Sequence, residues 1–165
     1  MEGLMIRPAG LGDAEQIVRI YNYYIENTVI TFEEEKISTD EMRGRIEEYT
    51  RDYPWFVYEK DHEVIGYAYA AKWRSRSAYR YSAETTVYVD KDFCGKGTGT
   101  ALYEKLIEEC AKRGLHALMA GITMPNKKSQ RLHEKIGFKK IGHFQETGRK
   151  FDKWLDVGYW EYIFK

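Results

Sequence analysis

Three glycines at alternate positions, Gly95, Gly97 and Gly99, separate two kinds of sequence. Before them lies a β-branched run, Thr85-Thr86-Val87-Tyr88-Val89. After them Thr98–Arg113 carries Leu102, Leu106, Ile107 and Cys110 at helical spacing. A strand, a glycine loop and an amphipathic helix are therefore expected in succession. Glycine allows positive φ and a close approach of backbone to ligand. The start of the helix offers unpaired N–H groups and the positive end of its dipole. Together these features predict a site for a phosphorylated cofactor, the alternative being a glycine-rich turn that binds nothing. A P-loop is excluded, because Lys96 lies inside the glycines and no Lys-Ser/Thr follows them. A dinucleotide fingerprint fits poorly, since position 100 is Thr and the next strand, His116–Thr123, has no acidic residue for a ribose.

Other residues with chemical potential surround this unit. Glu84 precedes the β-branched run, where an ordinary reading is a solvated strand end. Lys72, Arg74, Arg76 and Arg80 form a basic stretch just upstream. Arginine can grip a carboxylate or phosphinate with two hydrogen bonds, although a solvated turn accounts for some of these charges. Phe32, Trp73 and Tyr79 are candidate aromatic walls. Asn126 reads as a helix N-cap, and His133 falls within the short helix that follows. Cys94 and Cys110 lack metal or redox spacing and read as idle thiols in a reducing compartment.

The elements that must position these groups follow in order. Leu4–Arg7 is a strand, and Asp13 with Gln16 resembles a capping box before a helix bearing Ile17, Tyr21 and Tyr24. Ser38 with Glu41 starts a second helix that Pro54 closes. The period then becomes two: Trp55–Lys60, a turn at Asp61-His62, and Glu63–Ala71 form a hairpin. Lys72–Arg80 is expected to be a loop, and Tyr81–Asp90 a strand. Gly114 stops the helix, and His116–Thr123 suits a buried parallel strand. After the Asn126 helix, strands Phe138–Phe144 and Val157–Phe164 are joined by a polar connection, Gln145–Lys153. This order predicts an α/β chain, one domain over 1–165, with a mixed sheet and helices on both faces. The 26 basic and 26 acidic residues balance, which argues against nucleic acid or an anionic membrane as partner. No apolar run approaches a membrane span and no signal pattern opens the chain, so a cytoplasmic protein is expected.

The segment CGKGTG, Cys94–Gly99, resembles the Gln/Arg-x-x-Gly-x-Gly/Ala loop of GCN5-related N-acetyltransferases, with Cys94 where Gln or Arg is usual. The resemblance extends from Ile6 to Phe164. It is narrower, toward the phosphinothricin and methionine sulfoximine acetyltransferase branch, in three stretches: Pro54–Asp90 (PWFVYEKDHEVIGYAYAAKWRSRSAYRYSAETTVYVD), Pro125–Phe138 (PNKKSQRLHEKIGF) and Trp154–Trp160 (WLDVGYW). It implies a GNAT fold, with a mixed central sheet of about six to seven strands and about four helices. It also implies acetyl transfer from acetyl-CoA to the α-amino group of a small amino acid, by direct attack and without a metal.

By the same resemblance, Glu84 is the base and a main-chain N–H near Val87 the oxyanion donor. Val87, Tyr88 and Val89 pair with pantetheine as an added strand would. Gly95, Lys96, Gly97, Thr98, Gly99 and Thr100 form the pyrophosphate loop, Lys96 being a solvent-facing spacer. Asn126 is a pantetheine contact as well as a cap. His133 is either the acid for the leaving thiolate or a packing residue. Phe32, Arg74, Arg76 and Tyr79 face the acceptor, with Arg74 first among the cations. Relatives often form dimers, and the aromatic residues Tyr159, Trp160, Tyr162 and Phe164 offer a surface for one, with core packing as the equal alternative. The branch commonly has His where this chain has Leu155, so any role of that His does not transfer. Rival readings are acetylation of another small amine or a peptide N-terminus, and a non-catalytic acetyl-CoA sensor.

Overall fold

The computed structural model describes residues 3–165; Met1 and Glu2, part of the expected 1–165 domain, lie outside the described residues. Seven strands form one sheet: β1 (Leu4–Pro8), β2 (Trp55–Lys60), β3 (Glu63–Lys72), β4 (Ser82–Val89), β5 (Ala117–Met124), β6 (Lys139–Lys150) and β7 (Lys153–Ile163). Four helices accompany them: α1 (Ala14–Asn27), α2 (Thr39–Thr50), α3 (Thr98–Lys112) and α4 (Lys127–Ile136). The sheet order is β1-β2-β3-β4-β5-β7-β6, antiparallel throughout except for the parallel pair β4/β5. The expected mixed sheet and flanking helices are borne out.

Burial explains the layers. Ile17, Ile20, Tyr21, Tyr24 and Ile25 form one stripe of α1 and, with Met42 and Ile46 of α2, cover one face of the sheet over Trp55, Val57 and Tyr67. The other face carries Leu102, Tyr103, Leu106 and Cys110 of α3 against Ala68, Leu118 and Trp160. Local signals hold at several ends. Ser38 Oγ accepts from the Glu41 N–H at 3.0 Å, and Asn126 Oδ1 accepts from the Ser129 N–H at 3.1 Å. Gly114 adopts φ of 77° just beyond α3.

Two expectations are corrected. The polar connection Gln145–Lys153 is mostly strand: β6 and β7 form a long hairpin closed by Phe151 and Asp152, with φ of 51° and 58°. Those paired positive φ angles match the right-handed strand twist at a two-residue turn. Most of β6 is solvent-exposed, so no apolar alternation marks it. Of the two readings of the aromatic strand, core packing is the one seen: Trp160 is fully buried, and Tyr162 and Phe164 pack beside it. The other correction concerns Asp13 and Gln16, which make no capping box. Gln16 Oε1 accepts from the Val64 N–H at 2.8 Å, tying α1 to β3.

Asp13 is committed elsewhere. Arg7 donates to its two carboxylate oxygens at 2.9 and 2.8 Å and to Glu59 at 2.9 and 2.7 Å, while the Gly10 N–H donates to Asp13 at 2.8 Å. Burial alone would raise the Asp13 carboxyl, but Arg7 and the Gly10 amide hold it below the usual range. The stabilisation from such a lowered carboxyl is complete above its unfolded-state pKa and is lost as pH falls through the folded value. Asp13→Ala is therefore expected to cost about 2–3 kcal/mol at neutral pH. In urea unfolding, the gap from the parent protein should close as pH is lowered.

Candidate active site

The site begins where two strands part. β4 pairs with β5 at Ser82↔Ala117, Ala83↔Leu118 and Glu84↔Met119, and the ladder then stops. β5 continues beside β7 through Met124↔Asp156, and β4 continues beside β3 through Val89↔Gly66. The main chain of Thr85–Val89 is left without a strand partner on the β5 side. Two cavities of about 530 and 450 Å³ open along this seam. Both are lined by Ile30, Val87, Tyr88, Asn126 and Ser129, so they adjoin across the splay.

The smaller cavity lies over the glycine loop. Gly95 and Gly97 have φ of 75° and 83°, a conformation that non-glycine residues rarely adopt. Gly97 is the N-cap of α3, and no side chain caps that helix, so first-turn N–H groups are left for a ligand. Gly95, Gly97, Gly99 and Thr100 line the cavity with Val87, Tyr88 and Val89. The Lys96 ammonium donates to the Asp92 carbonyl at 3.1 Å and lies over the Phe93 ring, outside the cavity. Thr98 is buried and is not part of the lining. The Val89 carbonyl already accepts from the Tyr24 hydroxyl at 2.5 Å. Sequence reasoning missed Tyr23, Tyr24, Lys91 and Lys128 in this wall. Of these, Tyr24 was legible only as part of a helix stripe.

The larger cavity holds Glu84, Arg74 and Phe32. Burial raises the Glu84 carboxyl, and the Arg74 charge opposes that shift. The Arg74 guanidinium stacks 4.9 Å from the Trp73 ring, which meets Tyr159 edge-on with centroids 5.6 Å apart. Tyr159 lines the chamber beside Phe144 and Thr147, and sequence reasoning assigned none of these three to a site. Arg76 and Tyr79, expected at the acceptor, lie outside the lining. They belong to the short 3₁₀ segment Ser77–Tyr81 and its cap.

His133 reaches the same chamber from α4 but is 4% exposed. Its Nδ1 lies 2.7 Å from the Ser129 carbonyl, which can only accept, so Nδ1 carries the proton. Nε2 then accepts from the Tyr103 hydroxyl at 2.8 Å, and Tyr103 meets Thr85 Oγ1 at 2.5 Å. Burial lowers the imidazole pKa, opposed by the Ser129 carbonyl. A neutral ring with both nitrogens engaged has no proton to spare. Of its two expected roles, the geometry supports packing and hydrogen bonding.

A strand pair that splays beside an uncapped, glycine-led helix leaves main-chain groups free for a ligand, with a carboxylate and a cation in the next chamber. Residues 6–158 match the family described as acetyltransferase (GNAT) domain. The chain belongs to the GNAT acetyltransferase family. It is 36% identical over 162 residues to a phosphinothricin N-acetyltransferase of Streptomyces coelicolor, covering 96% of this chain and 95% of that one. It is 36% identical over 155 residues to an L-methionine sulfoximine/L-methionine sulfone acetyltransferase of Salmonella typhimurium, covering 93% and 91%. The crystal structure of a GNAT superfamily phosphinothricin acetyltransferase from Sinorhizobium meliloti, in complex with acetyl-CoA, superposes with a TM-score of 0.94. That structure is 34% identical, and the match covers 98% of this chain and 88% of that one.

The Thr85–Tyr103–His133 chain makes a structural prediction. Tyr103→Phe leaves the buried Nε2 without a donor and should destabilise the fold by about 1–3 kcal/mol. Chemical denaturation measures this.

Proposed function

We propose that this acetyltransferase moves an acetyl group from acetyl-CoA to the amino group of a small amino acid of the phosphinothricin or methionine sulfoximine kind. The observation that carries this reading is the pairing of Glu84 and Arg74 in one chamber that opens onto the unpaired edge of β4. The free edge at Val87 and Tyr88 suits the pantetheine arm, and the main-chain N–H groups from Gly95 to Thr100 suit the pyrophosphate. The thioester supplies the activated acetyl group. Glu84 takes a proton from the acceptor ammonium, and its raised pKa makes it a better base than an exposed glutamate. A main-chain N–H near Val87 faces the developing oxyanion. Arg74 holds the acceptor's carboxylate or side-chain anion, and Phe32, Phe144 and Tyr159 enclose its apolar part.

The names and near full-length coverage of the relatives support an amino-acid acceptor, as does a chamber of about 530 Å³. A homodimer is part of the proposal. Its support is now the exposed residues Ile141, Phe151 and Trp154 of the β6–β7 arm, and sedimentation would report it. A cytoplasmic setting suits the two free thiols, Cys94 and Cys110.

Free-thiol release from acetyl-CoA across a panel of amino acids and sulfoximines tests the reading. Turnover with an amino acid bearing a second polar group is expected; no turnover with any primary amine would favour a sensor. Glu84→Gln should lower kcat by about 10²-fold while acetyl-CoA affinity stays unchanged. Because Arg74 holds the Glu84 carboxyl down and the base works deprotonated, Arg74→Ala should move the acid limb of the pH profile to higher pH. It should also raise the acceptor KM.

A further inference from the structure

One buried charge is unused by this chemistry. Lys150, near the tip of the β6–β7 arm, is 2% exposed. Its ammonium donates to the Thr31 carbonyl at 2.9 Å, 119 residues away in the chain. Burying an ammonium is costly unless it is well partnered, and lysines are rarely this enclosed. The partner segment is the connection between α1 and α2, which has no regular structure of its own.

Next to that bond, the Phe32 ring packs against Gly148 of β6. A Cβ built at Gly148 would fall 2.2 Å from its Cε2, so only glycine leaves room for the ring there. Phe32 and Thr31 both line the larger chamber. Thr31 Oγ1 is bonded to the Tyr21 hydroxyl at 2.8 Å and accepts from the Glu33 N–H at 3.3 Å. The Glu33 carboxylate accepts from the Tyr21 hydroxyl and from Arg45 at 2.9 and 2.6 Å. The segment is thus tied to α1 and α2 by Tyr21 and Arg45. Its main-chain tie to the arm is Lys150.

We infer that Lys150 is a positioning residue for acceptor specificity: its ammonium clamps the Thr31 carbonyl to β6 and so fixes Phe32 on Gly148 as one wall of the acceptor chamber. The clamp bears on the acceptor side, because Thr31 and Phe32 line the larger cavity and not the smaller one. This rests on the acceptor reading of the larger chamber, and one arm of the test is independent of it.

Lys150→Met keeps the apolar stem and removes the charge. It should raise the acceptor KM roughly tenfold or more through loss of preorganisation, with the KM of acetyl-CoA unchanged. In a Phe32→Ala background the same change should add little further, since Lys150 acts through Phe32. Lys150→Gln, which retains an N–H donor, should recover part of the loss. An unchanged acceptor KM in folded Lys150→Met, or full additivity with Phe32→Ala, would overturn the inference.

The independent arm is amide hydrogen exchange. The Ile30 and Glu33 amides, bonded to the Thr28 and Thr31 hydroxyls, should exchange slowly in the parent protein and faster in Lys150→Met. Free exchange of both in the parent would sink the clamp whatever the enzyme acetylates. Slow exchange without turnover on any amine would keep the clamp and overturn the acceptor reading.

Discussion

A sheet tolerates a gap only if the strands on either side of it are held by something else. β4 leaves β5 after Glu84, yet neither strand is loose. β5 is paired with β7 over its whole length, and β4 with β3 over seven positions from Ala83 to Val89. The gap therefore sits between two stiff halves, and its exposed N–H and C=O groups need partners from elsewhere. Tyr24 meets one of them at the Val89 carbonyl. The remainder face the seam from which both cavities grow. Across it, Thr85 of β4, Tyr103 of α3 and His133 of α4 form one hydrogen-bonded chain. That chain keeps the helices seated on strands that no longer hold each other.

The electrostatics of the larger chamber depend on the same break. Glu84 is the last residue of β4 paired with β5, which places its carboxyl at the point where the cavity starts. Enclosure pushes its pKa up, and Arg74, carried by the end of β3 through the stack on Trp73 and Tyr159, pulls it down. Neither effect eliminates the other. The balance suits a group that must hold a proton briefly and then give it up.

Much of this was readable from residue order. Alternating glycines before an apolar helix have few structural solutions, and the positive φ of Gly95 and Gly97 is the one expected. The β2–β3 hairpin and the Ser38 and Asn126 caps were equally plain, because each depends on neighbours in sequence. What escaped depends on distant neighbours. Gln16 looked like half of a capping box but answers to Val64, 48 residues away. Arg76 and Tyr79 were expected beside Arg74, yet the 3₁₀ segment carries them out of the chamber. The β6–β7 arm is too polar to announce itself, and Lys150 gave no sign of burial. A lysine's partner 119 residues away is not a property of local sequence.

The arm also contains a break in register. Phe144 pairs with Val157 and Gly148 with Leu155, so Gln145, Glu146 and Thr147 stand opposite Asp156 alone. The Asp156 carboxylate spans the neck of this bulge, accepting from the Glu146 N–H at 2.8 Å and meeting His143 Nε2 at 2.7 Å. The residues on either side stay in step with β7 whatever the bulge contains. Phe144 beside it and Thr147 within it line the larger chamber. A change of length confined to this bulge would therefore reshape one wall of that chamber while the flanking pairs, Phe144 with Val157 and Gly148 with Leu155, held their register.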